Sequence, residues 1–369
     1  MRACAEIDLR AIAHNIALIR AKTKAQILAV VKADAYGHGL IPVARTAVES
    51  GAQWLGVALL EEAIALRQAG IEVPILAWLT TAGDDFEAAL RNHIDLSISS
   101  VEIFDLVLAQ ARKIGVKPRL HFEVDTGMSR GGFLEQWSAF INSAKAAADE
   151  FTLVGLWSHF ARADEPDEPM NRVQIEEFEH FRFELESAGI KAEYFHQANS
   201  AAALTNPQSH RDIVRIGIAM YGLSPDLETM GDSQSLGLIP AMTLKSRLVV
   251  VKKVPAGSSV GYGATARLDR DTTLGVVALG YADGIPRNTS SSAKVSIAGQ
   301  LAPVIGRVSM DQFVVDLGPD SIAKTGDWVE IFGKSGASVD TWAKAAGTIN
   351  YEIVTRIGPR VPRIYLPNN

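Results

Sequence analysis

The apolar run "AVVKADAYGHG" (29–39) carries Lys32 at its close, and Tyr36 follows four residues later. An amine at the mouth of a buried strand can lose its proton and attack a carbonyl, which is Schiff-base chemistry. Other reactive side chains stand at the ends of other apolar runs. Glu123, Asp125 and Arg130 come with "RLHFEVD" (119–125), and His159 ends "TLVGLWSH" (152–159). Asn199 and Ser200 follow from "AEYFHQAN" (192–199), and Arg215 and Gly217 lie in "IVRIGIAM" (213–220). Ser and Tyr hydroxyls with glycine amides near the last run could hold a phosphate. No paired-carboxylate catalyst stands out. His121, His159 and His196 come singly from separate runs, so spacing does not point to zinc. Each candidate also has a plain structural alternative. Lys32 could simply reach water past a strand end. His159 and Arg215 could sit in core hydrogen bonds or a surface ion pair.

These residues need a scaffold that brings strand ends together. Up to about residue 225, eight strand-like runs alternate with helical patterns: 26–32, 53–59, 74–79, 95–99, 119–125, 152–159, 192–199 and 213–220. Several are continuously apolar, as strands covered on both faces tend to be. Between them lie stretches such as "LLEEAIALRQAG" (59–70) and "QIEEFEHFRFELESAG" (174–189), each ending on a C-cap glycine. That alternation predicts a (β/α)₈ barrel, a TIM barrel, whose active site gathers at the C-terminal strand ends. The competing fold is an open doubly wound sheet, but its usual Gly-rich first turn is missing. Near "DLETMGDSQSLGLIP" (226–240) the texture changes to short strands punctuated by Gly and Pro, with one short helix near 340–347. The expectation is a barrel domain over 1–235 and an all-β domain over 236–369. The opening strand, 4–9, could pair with the second domain.

The 369 residues are 47% hydrophobic and 21% charged, which suits a packed chain of two domains. A formal net charge of −6 argues against a general nucleic-acid partner. The single cysteine, Cys4, fits a reducing compartment. Glu6 and Asp8 interrupt the opening stretch before an apolar segment develops, unlike a secretory signal. No apolar run approaches a membrane span. A cytoplasmic protein is expected.

Three short matches fail on context. "DTG" (125–127) lacks the second D-[ST]-G that a shared-proton carboxylate pair needs. "GKS" (333–335) has Trp328 where a phosphate loop needs glycine. "GYG" (261–263) sits among strands with no helix to follow.

Eight segments together carry a specific likeness: "AVVKADAYGHG", "EVDTGMSRGG", "HQANSAA", "VRIGIAMYGL", "VGYGAT", "GYADGIPR", "GRVSMDQ" and "INYEIVTRIGPRVPR". In these segments and their order the chain resembles the bacterial alanine racemases, fold-type III enzymes that use pyridoxal 5'-phosphate (PLP). The resemblance implies an N-terminal (β/α)₈ barrel, a C-terminal β domain, and a homodimer whose active sites draw on both chains. It implies Lys32 as the covalent anchor of PLP. Tyr36, Ser200, the amides of Gly217 and Ile218, and Tyr351 match the phosphate holders. His159 matches the histidine beside the pyridine ring, and Arg215 the arginine facing its nitrogen. Arg130 matches the arginine near the substrate carboxylate. From the partner chain, Tyr262 matches a second catalytic base and the Met310 backbone a substrate-carboxylate contact. Tyr281 resembles a tyrosine lining the substrate entrance. One position departs: many members have a carbamylated lysine where this chain has Glu123. We expect Glu123 to replace it as the carboxylate that orients Arg130, the alternative being a satisfied strand-end acid.

Racemisation exchanges a proton between two faces of one carbon, so two bases on opposite sides are wanted. By the resemblance, Lys32 and Tyr262 supply them. A phenol has an ordinary pKa of about 10, and bringing it to near 7 takes roughly 4 kcal/mol of preference for the anion. Nearby cations can supply that, here Arg215 through His159. An arginine facing the ring nitrogen disfavours ring protonation, which favours racemisation over transamination and over the decarboxylases of the same fold. The implied role is the supply of D-alanine for peptidoglycan. A racemase of another small or basic amino acid, a fold-type III decarboxylase and a non-catalytic PLP carrier are the alternatives.

Overall fold

The computed structural model describes residues 1–289, 291–334 and 336–366. The last residue of the "GKS" triplet therefore lies outside the described residues. Two compact units are present. One comprises Ile12–Ala35 and Leu40–Ile239; the other comprises Met1–Ala11, Tyr36–Gly39 and Pro240–Asn369.

The opening strand, β1 (Ala3–Asp8), belongs to the second unit. The first unit holds β2 (Gln26–Val30), β3 (Trp54–Val57), β4 (Ile75–Ala77), β5 (Asp95–Ile98), β6 (Arg119–Glu123), β7 (Thr152–Trp157), β8 (Tyr194–His196) and β9 (Ile213–Ile216). All eight fall inside the runs expected from sequence. They form one parallel sheet in the order β8-β7-β6-β5-β4-β3-β2-β9, so the first strand pairs with the last. β8 and β9 are joined where the Asp212 amide donates to Phe195 O (3.0 Å) and the Arg215 amide to Ala198 O (2.9 Å). An open sheet has no such closure. The strands read as apolar runs because both faces are covered; every residue of β3, β4, β5 and β9 is buried.

The helices between strands follow local chemistry. Val101–Ile114 starts where the Ser100 hydroxyl accepts the Ile103 amide (3.3 Å) and stops at Gly115 in the left-handed region. The Leu60–Gln68 helix begins with Glu62 reaching back to the amides of Ala58 (3.0 Å) and Leu59 (3.1 Å).

The second unit is built from β10 (Met242–Val254), β11 (Ser259–Val260), β12 (Ala266–Arg267), β13 (Thr272–Val277), β14 (Lys294–Ile297), β15 (Gln300–Ile305), β16 (Phe313–Gly318), β17 (Trp328–Phe332) and β18 (Arg363–Leu366). Its main sheet runs β13-β16-β15-β14-β17-β10-β1-β18, and β13 also pairs with β10. β1 pairs antiparallel with β10 and parallel with β18. The expected helix appears as Val339–Ala346 and stops at Gly347. A second, Asn350–Thr355, was not expected from sequence. Six residues are too few for a legible period. Side chains hold it instead: Asn350 donates to Asp340 (2.8 Å) and Thr355 to Tyr351 O (2.7 Å). No helix among the described residues is long and apolar enough to cross a membrane.

Candidate active site

Lys32 lies two residues past the end of β2, not on the strand itself. The chain then turns left-handed. Ala33, Asp34, Ala35 and Tyr36 all have φ of 52–53°. Such a conformation costs an L-residue roughly 1–2 kcal/mol each, so something must hold it. Glu62 accepts the Ala33 amide (2.6 Å), Asp34 accepts the Leu40 amide (2.8 Å), and the Ala35 amide donates to Val31 O (2.8 Å). No glycine marks residues 33–36, so sequence gave no warning of this strain.

The Lys32 ammonium stands 5.8 Å over the Trp78 ring. Burial lowers its pKa, Arg130 lowers it further, and Glu62 compensates only in part. The neutral amine that nucleophilic chemistry needs is thereby favoured.

Arg215 lies within electrostatic reach of His159, Glu123 and Arg130. It is 4% exposed and lies under the Trp157 ring, 4.9 Å from its centroid. Nη1 donates to His196 O (3.0 Å) and meets His196 Nδ1 at 3.2 Å. Nη2 donates to Ser158 O (2.7 Å) and Gln197 O (3.1 Å) and meets His159 Nδ1 at 3.1 Å. Its Nε–H takes no part in those contacts. Burial brings the Arg215 pKa down to about 9, with Glu123 opposing and Arg130 adding to the fall. His159 is held well below the ordinary histidine value, first by burial, then by Arg215, Arg130 and Lys32. It is therefore a neutral imidazole whose Nδ1 accepts from Arg215.

Arg130 projects from a tight loop after β6. Asp125 Oδ1 accepts the amides of Gly127 (2.9 Å), Met128 (2.9 Å) and Ser129 (3.1 Å). Backbone bonds from Phe133 N to Glu123 O (2.8 Å) and from Asp125 N to Phe133 O (2.9 Å) fold the loop back on the strand. Glu123, Arg130 and His159 line one recess. Burial pushes Glu123 up to about 7 against the pull of Arg215 and Arg130. Its charge is thus balanced near neutrality rather than permanent.

A third corner is made by Ser200 and the end of β9. Ser200 opens a short helix capped by Asn199, whose side chain accepts the Ala202 amide (3.1 Å). The Ser200 hydroxyl accepts the amides of Gly217 (2.8 Å) and Ala219 (3.4 Å), and its proton remains a donor. A 3₁₀ turn starts at Ile218.

Other expected site residues lie in the second unit. Tyr36 and Tyr351 face each other with ring centroids 6.3 Å apart, and burial pushes the Tyr36 phenol up. Tyr262 sits on a turn between Gly261 (φ 75°) and Gly263 (φ 74°) and is 69% exposed. Tyr281 and Met310 stand on adjoining loops. The Tyr281 amide donates to Ser309 O (3.1 Å) and the Ala282 amide to Met310 O (3.0 Å). A Cβ at Gly280 would overlap those two carbonyls.

The residues of the first unit suit PLP. Lys32 is a partly buried amine with lowered basicity, for an aldehyde. The Arg215 Nε–H, outside the contacts above, is a donor for a ring nitrogen. Ser200 with the turn at Gly217 and Ile218 supplies donors for a phosphate. Sequence reasoning missed two kinds of residue. Gln174 is fully buried and ties the loops, donating to Thr126 (3.1 Å) and to His159 O (3.0 Å). His121 and His196, singletons by spacing, meet at 3.0 Å. They bond to each other rather than converge on one point, and no metal-holding cluster occurs among the described residues.

Both units have counterparts in known proteins. Residues 7–225 match the alanine racemase N-terminal domain family and residues 241–365 the alanine racemase C-terminal domain family. An alanine racemase of Frankia casuarinae is 46% identical over 99% of this chain and 97% of its own length. The solved alanine racemase of Streptomyces coelicolor superposes with a TM-score of 0.97 at 46% identity, covering 100% of this chain and 98% of that one. The Bacillus anthracis alanine racemase solved with bound L-Ala-P gives 0.92 at 36% identity, over 100% and 95%. With matches this extensive across both units, the chain belongs to the alanine racemase family.

Proposed function

We propose that this protein interconverts L-alanine and D-alanine with PLP as cofactor, working as a cytoplasmic homodimer that supplies D-alanine for peptidoglycan. The observation that carries the reading is Arg215, a buried guanidinium shared between two histidines; set against a bound cofactor's ring nitrogen it would disfavour the ring protonation that a carboxylate would favour.

Bound PLP would draw electrons from the substrate's α-carbon and so acidify its proton. The chain's own groups do the rest. Lys32 Nζ, lowered in basicity by burial and by Arg130, takes or returns the proton on the face of the D-enantiomer. Tyr262, from a second copy of the chain, serves the opposite face. Its 69% exposure in the single chain is what a residue offered to a partner shows. His159 keeps Nδ1 on Arg215, leaving Nε2–H to steady a phenolate. Arg130 pairs with the substrate carboxylate, and Glu123 orients Arg130. The backbone of Met310 adds a substrate contact, and Tyr281 lines the entrance. By the family resemblance, Tyr36, Ser200, Gly217, Ile218 and Tyr351 would hold the phosphate. On this reading residues 236–369 complete the partner's site.

A chiral assay with added PLP and a panel of L-amino acids tests this. Turnover of alanine to the D-form supports it. Turnover of only another amino acid, release of carbon dioxide, or no turnover by PLP-loaded protein overturns it.

A further inference from the structure

A chain of polar side chains leads from Arg215 to the opposite end of the barrel. His196 Nε2 lies 3.0 Å from His121 Nδ1, and His121 Nε2 lies 3.4 Å from Asp95 Oδ2. Asp95, the first residue of β5, is 1% exposed. Both its oxygens also accept from Arg119, at 2.8 and 3.1 Å. The chain has indole walls. Trp157 stacks on His196 at 5.8 Å, and Trp54 meets His121 edge-on at 5.7 Å. Room for the His121 ring exists because its neighbour across the sheet is Gly155, where a Cβ would overlap Nδ1.

The direction of every bond in this chain follows from its ends. A guanidinium can only donate, so His196 Nδ1, 3.2 Å from Arg215 Nη1, must accept. A neutral ring then carries its proton on Nε2, which donates to His121 Nδ1. His121 in turn carries its proton on Nε2, and that proton needs a buried acceptor. Asp95 is that acceptor. Were it absent, His121 would gain nothing from keeping Nε2 protonated. The reversed tautomer would set a His121 donor against His196 and, one step on, a His196 donor against Arg215.

We propose that Asp95 and His121 are positioning residues: they hold His196 in the tautomer that accepts from Arg215, and so fix the edge that Arg215 turns towards His159. This rests on the proposed function for its catalytic consequence only. The tautomers can be read whatever reaction the protein performs. His196, far below its ordinary value through burial and then Arg215 and His121, stays neutral, as the chain requires.

The test is nitrogen NMR on the PLP-loaded enzyme with labelled histidine, assigned by single substitutions, alongside chiral kinetics. In the unmodified enzyme His121 and His196 should each show a fixed, unprotonated Nδ1 and a protonated Nε2. A protonated Nδ1 on His196 overturns the proposal by itself, even if the variants fail to fold. Asp95→Leu should release both rings into tautomer exchange and lower kcat about ten-fold, with KM within about two-fold. Asp95→Asn, which can still accept from His121, should keep the tautomers and hold kcat within about three-fold of the unmodified enzyme. Arg119→Gln removes the ion pair and spares the acceptor, so tautomers should persist. If Arg119→Gln lowers kcat as far as Asp95→Leu, or if Asp95→Leu leaves tautomers and kcat unchanged, the role is structural and the proposal fails.

Discussion

Replacing Glu123 by glutamine removes one charge at nearly constant shape, in a recess shared with Arg130 and His159. Burial raises this carboxyl from its ordinary 4.5 to about 7, which corresponds to roughly 3 kcal/mol against the ionised form. Two opposite trends follow. Folded, Glu123 holds its proton more tightly than unfolded. Its contribution to stability is therefore complete below about pH 4.5 and is lost as pH rises through about 7. Glu123→Gln carries no such loss. It should gain on the parent with rising pH, by up to roughly 3 kcal/mol at pH 8 in urea unfolding of the PLP-free protein. Activity should move the other way if the carboxylate orients Arg130. The parent side chain is about nine-tenths protonated at pH 6 and about nine-tenths ionised at pH 8. The ratio of parent to variant kcat/KM should thus start near one at pH 6 and climb severalfold, towards about ten-fold, by pH 8. Groups that titrate in both proteins cancel in that ratio. The assay is initial rates in both directions by chiral separation of alanine. A ratio flat across pH 6–8 would refute the orienting role. Flat behaviour in both measurements would also refute the raised pKa.

Further outcomes are open to direct measurement. Lys32→Ala should take up no borohydride-reducible PLP, and an adduct found on another lysine after peptide mapping would contradict the assignment. Mixing Lys32→Ala with Tyr262→Phe chains should restore activity, since mixed dimers carry one intact site of two; demonstrated exchange without activity would sink the shared site. Arg215→Glu should raise transamination relative to racemisation, read as pyruvate formed per D-alanine, and an unchanged ratio counts against the role given to arginine. Gly155→Ala forces a methyl against His121 Nδ1. It should cost roughly 1–3 kcal/mol in thermal or urea unfolding, and a neutral result would mean that the His121 ring has room to move.

Much was written locally in the chain. Strands covered on both faces must be apolar along their length, so β2 to β9 stand out as runs, and their alternation with capped helices predicts a barrel ahead of an open doubly wound sheet. Because a barrel gathers its strand ends, Lys32, Arg130, His159, Ser200 and Arg215 could be named before any contact was known. Other features depend on partners distant in sequence. The left-handed turn at 33–36 uses ordinary residues and stands because Glu62, Asp34 and Val31 hold it. The pKa of Glu123 depends on burial, which no single residue type encodes. Asp95, His121 and His196 look unrelated in a list of residues. Only the pairing of β5 to β8 side by side sets them in one line, and closure onto β9 joins that line to Arg215; a hydrogen bond's direction is then decided by whatever stands at its far end.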